Sequence, residues 1–274
     1  MPRAIHNALF LLVLATLFAC NENANTSEST DSNTNLIQAP VPLQYEIVKI
    51  HSHDTSSYTQ GLEWHGDWLY EGTGNYGKSK LIQLDANMKP VGKNIKLNKE
   101  VFGEGITLFN EKIYQLTWKE NKVFVYDAKT LNKINEFTWP YEGWGITHND
   151  TALIVSTGGS NIYIVDPNNF TIKKTIGVYN NYGYVSDINE LEYVSGKLFA
   201  NIYGQNEIVV IDPNTGQISN TLNCSNLLAQ AGVKYDPTSI DAGYVLNGIA
   251  YHPTSKTYFI TGKCWPVMVE IKIK

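Results

Sequence analysis

Cysteine is scarce in this 274-residue chain, with 3 in all, and charged residues make up only 17%. One of the cysteines lies near the N-terminus, so the rest of the chain can form one disulfide at most. So little charge is unusual for a helical protein, whose outer faces need Glu, Lys and Arg, but it suits a β protein. Basic residues are not in excess either: 21 Lys and Arg face 26 Asp and Glu, a net charge of −5, and no basic stripe is available to neutralise a phosphate backbone. Nucleic acid is therefore not an expected partner. The one long apolar run, residues 8–19, is too short to span a bilayer as a permanent helix. What the chain does have is 43% hydrophobic and 12% aromatic residues, ample for a packed β-rich core.

Arg3 and His6 precede the apolar run, which ends in Leu17-Phe18-Ala19-Cys20. This pattern reads as an export signal over residues 1–20, not as structure of the mature protein. A small residue before cysteine at the end of such a run resembles a bacterial lipobox, in which Cys20 becomes the diacylated mature N-terminus; a plain secretory signal is the alternative. Acyl chains contribute about 0.8 kcal/mol per buried CH₂, so two or three would anchor the protein to a membrane, facing the periplasm or cell exterior. Residues 21–35 are Asn, Ser, Thr, Glu and Asp with almost no apolar side chain, and cannot repay the entropy of ordering. Residues 21–43 are read as a flexible linker and residues 44–274 as the folded domain.

An internal repeat runs through that domain. Four strand-like segments end in an aspartate and a turn: Leu81-Ile82-Gln83-Leu84-Asp85, Val123-Phe124-Val125-Tyr126-Asp127, Ile162-Tyr163-Ile164-Val165-Asp166 and Ile208-Val209-Val210-Ile211-Asp212. Their separations are 42, 39 and 46 residues, the length of one four-stranded propeller blade. Upstream of them, apolar anchors recur at Leu62, Ile106, Ile146, Leu191 and Ile249, spaced by 44, 40, 45 and 58. Each anchor is followed by a turn and a second apolar strand, so each repeat opens with a hairpin. The longer last interval holds Cys224 to Ala231, whose Leu227, Leu228 and Ala231 suit a short helical insertion in the last blade. The fifth repeat has a third strand at residues 267–273 and no fourth, while the strand at residues 45–50 has no partner. Joining the two closes the ring and removes a free sheet edge. The fold class is all-β, a five-bladed propeller. Whether Cys224 and Cys264 pair stays open.

The innermost strand of each blade lines the central channel, so equivalent positions face one another. Two residues before the anchors stand Gln60, Glu104, Trp144, Asn189 and Asn247, and between lie Gly61, Gly105, Gly145, Glu190 and Gly248. At the far end of the second strands are Gly74, Trp118, Gly158, Tyr203 and Lys263. A hub with a structural role alone would repeat small or apolar residues; these differ blade by blade and point to a site.

At these positions the sequence resembles the plant-type glutaminyl cyclases, a family of glutaminyl-peptide cyclotransferases also found in bacteria. Tyr58-Thr59-Gln60-Gly61-Leu62 is similar to the family's Phe-Thr-Gln-Gly-Leu, and Phe102-Gly103-Glu104-Gly105-Ile106-Thr107 to its Phe-Gly-Glu-Gly-Leu-Thr. Glu142-Gly143-Trp144-Gly145-Ile146-Thr147, Asn189-Glu190-Leu191-Glu192-Tyr193, Leu246-Asn247-Gly248-Ile249-Ala250-Tyr251 and Thr261-Gly262-Lys263-Cys264-Trp265-Pro266 extend the likeness over residues 45–274. Tyr58 stands where the family usually has Phe, and Tyr203 where it usually has Trp.

The resemblance implies an enzyme that turns N-terminal glutamine of peptides or proteins into pyroglutamate with release of ammonia. Glu104 is then the general acid and base, and Lys263 the catalytic cation. Gln60, Tyr58, Trp118, Trp144, Asn189, Glu190 and Tyr203 form the substrate pocket of a monomer that needs no cofactor or metal. Burial beside Trp118 and Trp144 is expected to raise the pKa of Glu104. A non-catalytic propeller serving as a binding module is the alternative. Three other signals carry less. Gly72-x-Gly74-x-x-Gly77 precedes a strand and not a helix, no Gly-x-Ser-x-Gly elbow occurs, and His51 and His53 are expected at the surface without a metal.

Overall fold

The structure, a computed structural model, describes residues 37–234 and 243–274. The signal, Cys20 and most of the linker lie outside the described residues. In chain order, β1 (Val41–Pro42) and β2 (Tyr45–Ser52) precede blade 1, which is β3 (Thr59–His65), β4 (Trp68–Thr73), β5 (Lys80–Leu84) and β6 (Ile95–Lys96). Blade 2 is β7 (Gly103–Phe109), β8 (Lys112–Thr117), β9 (Lys122–Asp127) and β10 (Lys133–Thr138). Blade 3 is β11 (Ile146–His148), β12 (Leu153–Ser156), β13 (Asn161–Val165) and β14 (Ile172–Gly177). A hairpin of β15 (Tyr179–Asn180) and β16 (Gly183–Tyr184) leads into blade 4, formed by β17 (Ile188–Val194), β18 (Lys197–Ile202), β19 (Glu207–Ile211) and β20 (Ile218–Asn223). The short helix α1 (Leu227–Gln230) and then β21 (Leu246–His252), β22 (Thr257–Gly262) and β23 (Val267–Ile273) complete the chain.

Every blade is an antiparallel meander, and blade 5 borrows its fourth strand from the start of the domain: β2 pairs with β23, Tyr45 opposite Ile273 and Ser52 opposite Val267. The ring closes as the sequence implied. The linker is shorter than expected, because Val41 and Pro42 pair in parallel with Asn220 and Thr221 on the outer edge of blade 4. Leu43 N–H also donates to Thr221 O at 2.7 Å.

Five apolar clusters hold the blades together, one at each junction. Tyr70 and Leu81 meet Ile106 and Leu108 between blades 1 and 2. Tyr114, Leu116 and Trp139 meet Ile146 and Val155 between blades 2 and 3. Ile154 and Ile162 meet Leu191 and Leu198 between blades 3 and 4. Phe199 and Ile208 meet Ile249 and Ile260 between blades 4 and 5, where Leu227 of α1 also packs. Leu62 and Leu69 meet Ala250 and Met268 where blade 5 returns to blade 1. All five anchors are at most 1% exposed, so the periodicity read from the sequence is the periodicity of these junctions.

The recurrent aspartates have a local cause. Asp85, Asp127, Asp166 and Asp212 each accept backbone N–H groups from the turn after the third strand, such as Asn87 N at 2.8 Å and Thr130 N at 2.7 Å. Those bonds favour the ionised carboxyl and hold each pKa below its ordinary value.

The two early histidines are a correction. His51 and His53 are buried: His51 Nε2 lies 3.2 Å from Glu270, and His53 Nε2 lies 3.1 Å from Glu71 with Nδ1 2.8 Å from Trp265 O. Glu270 stands on β23, the strand that β2 joins to close blade 5, and Glu71 on β4 of blade 1, and sequence spacing reveals neither. Burial alone lowers the His53 pKa, but the Glu71 carboxylate outweighs it and the net shift is upward. Cys224 and Cys264 are both free thiols.

Candidate active site

An inner strand has a second strand on one side and no strand on the other. Its free N–H groups face the channel and the next blade, so side chains must satisfy them. The inner strands are consequently laced by polar groups. Glu190 accepts Leu62 N at 3.2 Å and Ile249 N at 2.8 Å, Glu192 accepts Tyr251 N at 2.7 Å, and Glu63 accepts Leu108 N at 2.8 Å. The glycine layer serves the same closeness: a Cβ on Gly105 would lie 2.6 Å from Trp144 O of the next blade, whose oxygen Gly105 N reaches at 2.8 Å.

The residues two before the anchors are displayed by a repeated irregularity. In blades 1, 2, 4 and 5 the register between the inner and second strands slips at Thr59/Gly61, Gly103/Ile106, Ile188/Leu191 and Leu246/Ile249. Gln60, Glu104, Asn189 and Asn247 sit in these slips. A β-bulge inserts an unpaired residue and re-aims its side chain, so the bulges present four polar side chains at one end of the channel. Because the second strand runs antiparallel, its C-terminal end returns to the same place and brings Trp118, Tyr203 and Lys263 there.

These elements enclose a cavity of about 270 Å³. It is lined by Tyr58, Gln60, Glu104, Trp118, Trp144, Asn189, Tyr203 and Lys263, all expected from the sequence, together with Phe102 and Asn75. Phe102 was within reach, since it lies in the motif that carries Glu104; Asn75 belongs to no repeat position. Glu190 does not line the cavity: its carboxyl is occupied by backbone of blades 1 and 5. Glycines at the second-strand ends of blades 1 and 3 make room for aromatic rings. A side chain at Gly74 would collide with Phe102, and one at Gly158 would lie 2.6 Å from the Trp144 indole.

Within the cavity Gln60 is a bridge. Its Nε2 donates to Glu104 Oε1 at 3.2 Å, and its Oε1 accepts from Lys263 Nζ at 2.8 Å and from Asn247 Nδ2 at 3.4 Å. Glu104 and Lys263 therefore communicate through a carboxamide and not through a direct ion pair. Glu104 is 4% and Lys263 3% exposed. Burial pushes the Glu104 carboxyl well above its ordinary range; Lys263 opposes the shift, and Glu120 and Glu142 reinforce it. Burial pulls the Lys263 ammonium down to about 8, with Glu104 opposing. The Lys263 ammonium lies 4.8 Å over the Tyr58 ring and 5.1 Å over the Tyr203 ring, which partly replaces lost hydration. The Asn189 Oδ1 is buried without a hydrogen-bond partner among the described residues. Among those residues no cluster of three or more His, Cys, Asp or Glu could hold a metal ion.

Aromatic edges complete the wall. Phe102 packs on Trp118 with centroids 5.4 Å apart, Tyr58 meets Phe102 edge-on at 6.2 Å, and Trp144 meets Tyr203 edge-on at 5.6 Å. One functional group invisible in the repeat is Glu142. Its Oε2 accepts from the indole nitrogens of both Trp118, at 2.8 Å, and Trp144, at 3.2 Å.

Comparison with known proteins agrees with this geometry. The family profile described as glutamine cyclotransferase matches residues 12–273. A glutaminyl-peptide cyclotransferase of Arabidopsis thaliana is 35% identical over 233 residues, covering 84% of this chain and 72% of the relative. The crystal structure of Myxococcus xanthus glutaminyl cyclase superposes with a TM-score of 0.77 at 32% identity, covering 86% of this chain and 98% of that one. With one repeat motif in each blade and a profile match running through all five, the chain belongs to the glutamine cyclotransferase family.

Proposed function

We propose that this protein cyclises N-terminal glutamine of peptides or proteins to pyroglutamate, with Glu104 as the group that moves the proton. The observation that carries the reading is the Glu104–Gln60–Lys263 chain at the floor of an aromatic pocket. In the reaction the substrate's α-amine attacks the carbonyl carbon of its own side chain. A C–N bond forms, the bond to the amide nitrogen breaks, and ammonia leaves. Glu104 takes the proton shed by the attacking amine and returns it to the departing nitrogen. Burial holds this carboxyl well above its ordinary range, which makes it a better base than an exposed carboxylate, and such transfer contributes about 10² to 10⁴ in rate.

The oxygen that gains charge on attack needs donors. The Lys263 ammonium and the carboxamide N–H of Asn189, both at the cavity, supply them, and one such donor is worth about 3 kcal/mol. Trp118, Trp144, Phe102 and Tyr203 exclude water and fold the short glutamine chain so that its amine meets its carbonyl. The pocket has room for one such side chain and backbone, with the rest of the peptide leaving through the mouth.

The test is ammonia release from a glutamine-headed dipeptide incubated with the purified protein, with and without chelator. Release unaffected by chelator is expected. Binding of the dipeptide without release points instead to a non-catalytic binding module, and chelator-sensitive turnover overturns the metal-free route.

We further read residues 1–20 as an export signal with Cys20 as the lipid attachment point, residues 21–40, up to the strand at Val41, as the tether, and the domain as a monomer acting outside the cytoplasm. The apolar run and the polar segment after it support this. No helix of the described residues is long and apolar enough to cross a membrane. Cys20→Ser should move the protein from the membrane pellet to the soluble fraction, and an unchanged distribution rejects the anchor.

A further inference from the structure

We infer that Glu142 is a positioning residue for the reaction, a single carboxylate that pins the indoles of Trp118 and Trp144 as the two fixed walls of the pocket. The inference rests on the cyclase reading of that pocket. Trp118 follows the second strand of blade 2 and Trp144 precedes the inner strand of blade 3, so nothing in either strand's pairing fixes one ring relative to the other. Their N–H edges nevertheless converge on one atom, Glu142 Oε2, at 2.8 and 3.2 Å. Both are hydrogen bonds to a charged acceptor, the stronger kind.

The carboxylate is itself held. Lys119 Nζ approaches Glu142 Oε1 at 3.8 Å while lying 3.9 Å over the Trp118 ring, gripping that indole from its face as Glu142 grips its edge. The next residue fixes the backbone: Gly143 N donates to Thr117 O and Trp118 O, both at 3.1 Å. A Cβ at Gly143 would stand 2.5 Å from Thr117 O and 2.8 Å from Leu116 Cβ, so the segment can lie this close to the second strand only as glycine. An indole turns about two side-chain bonds, and binding its N–H stops the second rotation. Both rings line the cavity, so fixing them fixes the space in which the substrate's amine meets its carbonyl.

The side chain of Glu142 is 42% exposed, so core packing does not require it. Its acceptor oxygen is what the inference assigns a function. Glutamine keeps an oxygen able to accept both N–H groups and loses only the charge; alanine loses both. A misplacement of 1 Å can cost about 10²-fold in rate, and loosened walls should cost less.

The experiment compares kcat and KM on a glutamine dipeptide for the wild type, Glu142→Ala and Glu142→Gln. It also records ¹⁵N–¹H spectra of the indole N–H groups. Glu142→Ala is expected to lower kcat/KM by about 10-fold or more with an unchanged melting temperature, and Glu142→Gln to recover most of that loss. Two indole N–H signals should move in the alanine variant and stay near their wild-type positions in the glutamine variant. Full activity in Glu142→Ala, or a glutamine variant as impaired as the alanine one, overturns the clamp. If the alanine variant does not fold, the glutamine variant decides: it must retain activity and a pair of slowly exchanging indole N–H signals, and loss of either overturns the inference. A wild type that releases no ammonia removes the cyclase reading, while the indole spectra still report on the clamp.

Discussion

The two ends of the channel both bury carboxyl groups, and they use them differently. At one end Glu104 faces a cavity, and a side-chain amide is its hydrogen-bond donor. Toward the other, Glu63, Glu190 and Glu192 accept backbone N–H groups of other blades. Burial raises the pKa in all four. A perturbed carboxyl is thus no marker of a catalytic role in a propeller hub. What separates the two ends is the backbone: Glu190, Glu63 and Glu192 each accept an N–H group of another blade's strand, although Glu63 and Glu192 also line a cavity of about 400 Å³, whereas among the described residues Glu104 accepts no backbone N–H and its hydrogen-bond donor is a side-chain amide.

The sharpest test of that difference is Glu104→Gln. It should lower kcat by about 10² or more with little change in KM and an unaltered circular dichroism spectrum, because the amide keeps the shape but carries no proton. A fully active, folded variant breaks the comparison at its catalytic end. Glu190→Ala should do the reverse. Two buried N–H groups lose their acceptor, at about 1 to 3 kcal/mol each, so the denaturant midpoint should fall while turnover per folded molecule is kept. Lost turnover at unchanged stability would return Glu190 to the substrate pocket.

A smaller effect follows from pH. The folded-state pKa of Glu63 is raised to about 8 by burial, against Thr107 and Leu108 hydrogen bonds that favour ionisation. Its stabilising contribution is therefore complete below the unfolded value and is lost as pH rises through 8. His53, whose pKa is raised, acts in the same direction, losing its contribution as pH rises through that raised value. His148 acts oppositely: burial lowers it to about 4, so its contribution is present above its ordinary value of 6.5 and is lost as pH falls through 4. Above pH 6.5 the histidine no longer changes charge, and the melting temperature should fall by a few degrees toward pH 9, at about 1.4 kcal/mol per unit of pKa shift. Glu63→Gln should flatten that slope; an unchanged slope assigns it elsewhere. The smallest effect belongs to Tyr58→Phe, which keeps the ring against Phe102 and under Lys263 and should change kcat/KM by no more than about 3-fold.

How much was legible from the sequence depends on whether information repeats. The anchors recur because every junction buries the same strand position, so five blades, the hairpins and the closing strand could all be read, and the short helix too, though it lies between blades 4 and 5 and not in the last blade. Glu104, Gln60 and Lys263 followed from the same register. The bulges that turn three of the polar side chains and Asn247 toward the channel leave no composition signal, though their conserved offset from each anchor is what made the positions comparable within the chain. Contacts that cross between blades outside the repeat were not legible. Glu142 reaches tryptophans of two blades, His53 finds Glu71, and Asn75 enters the pocket from a turn; none has an equivalent elsewhere in the chain. Glu190 misled because it occupies a channel position in sequence while its carboxyl serves as an acceptor for inner-strand backbone.

The pairing of β2 with β23 has a consequence in time. The first long strand of the domain has its partner at the last residues of the chain, so during synthesis it leaves the ribosome long before anything exists for it to pair with. Such a contact, between the two ends of the sequence, is slow to form and carries a large loop-closure cost. Four blades can assemble on their own meanders, but the fifth has only β21 and β22 until β23 is made, and β2 waits unpaired for the same strand. The closing strand is therefore also a timer: the native ring cannot form before β23 has been made, however early the other blades assemble.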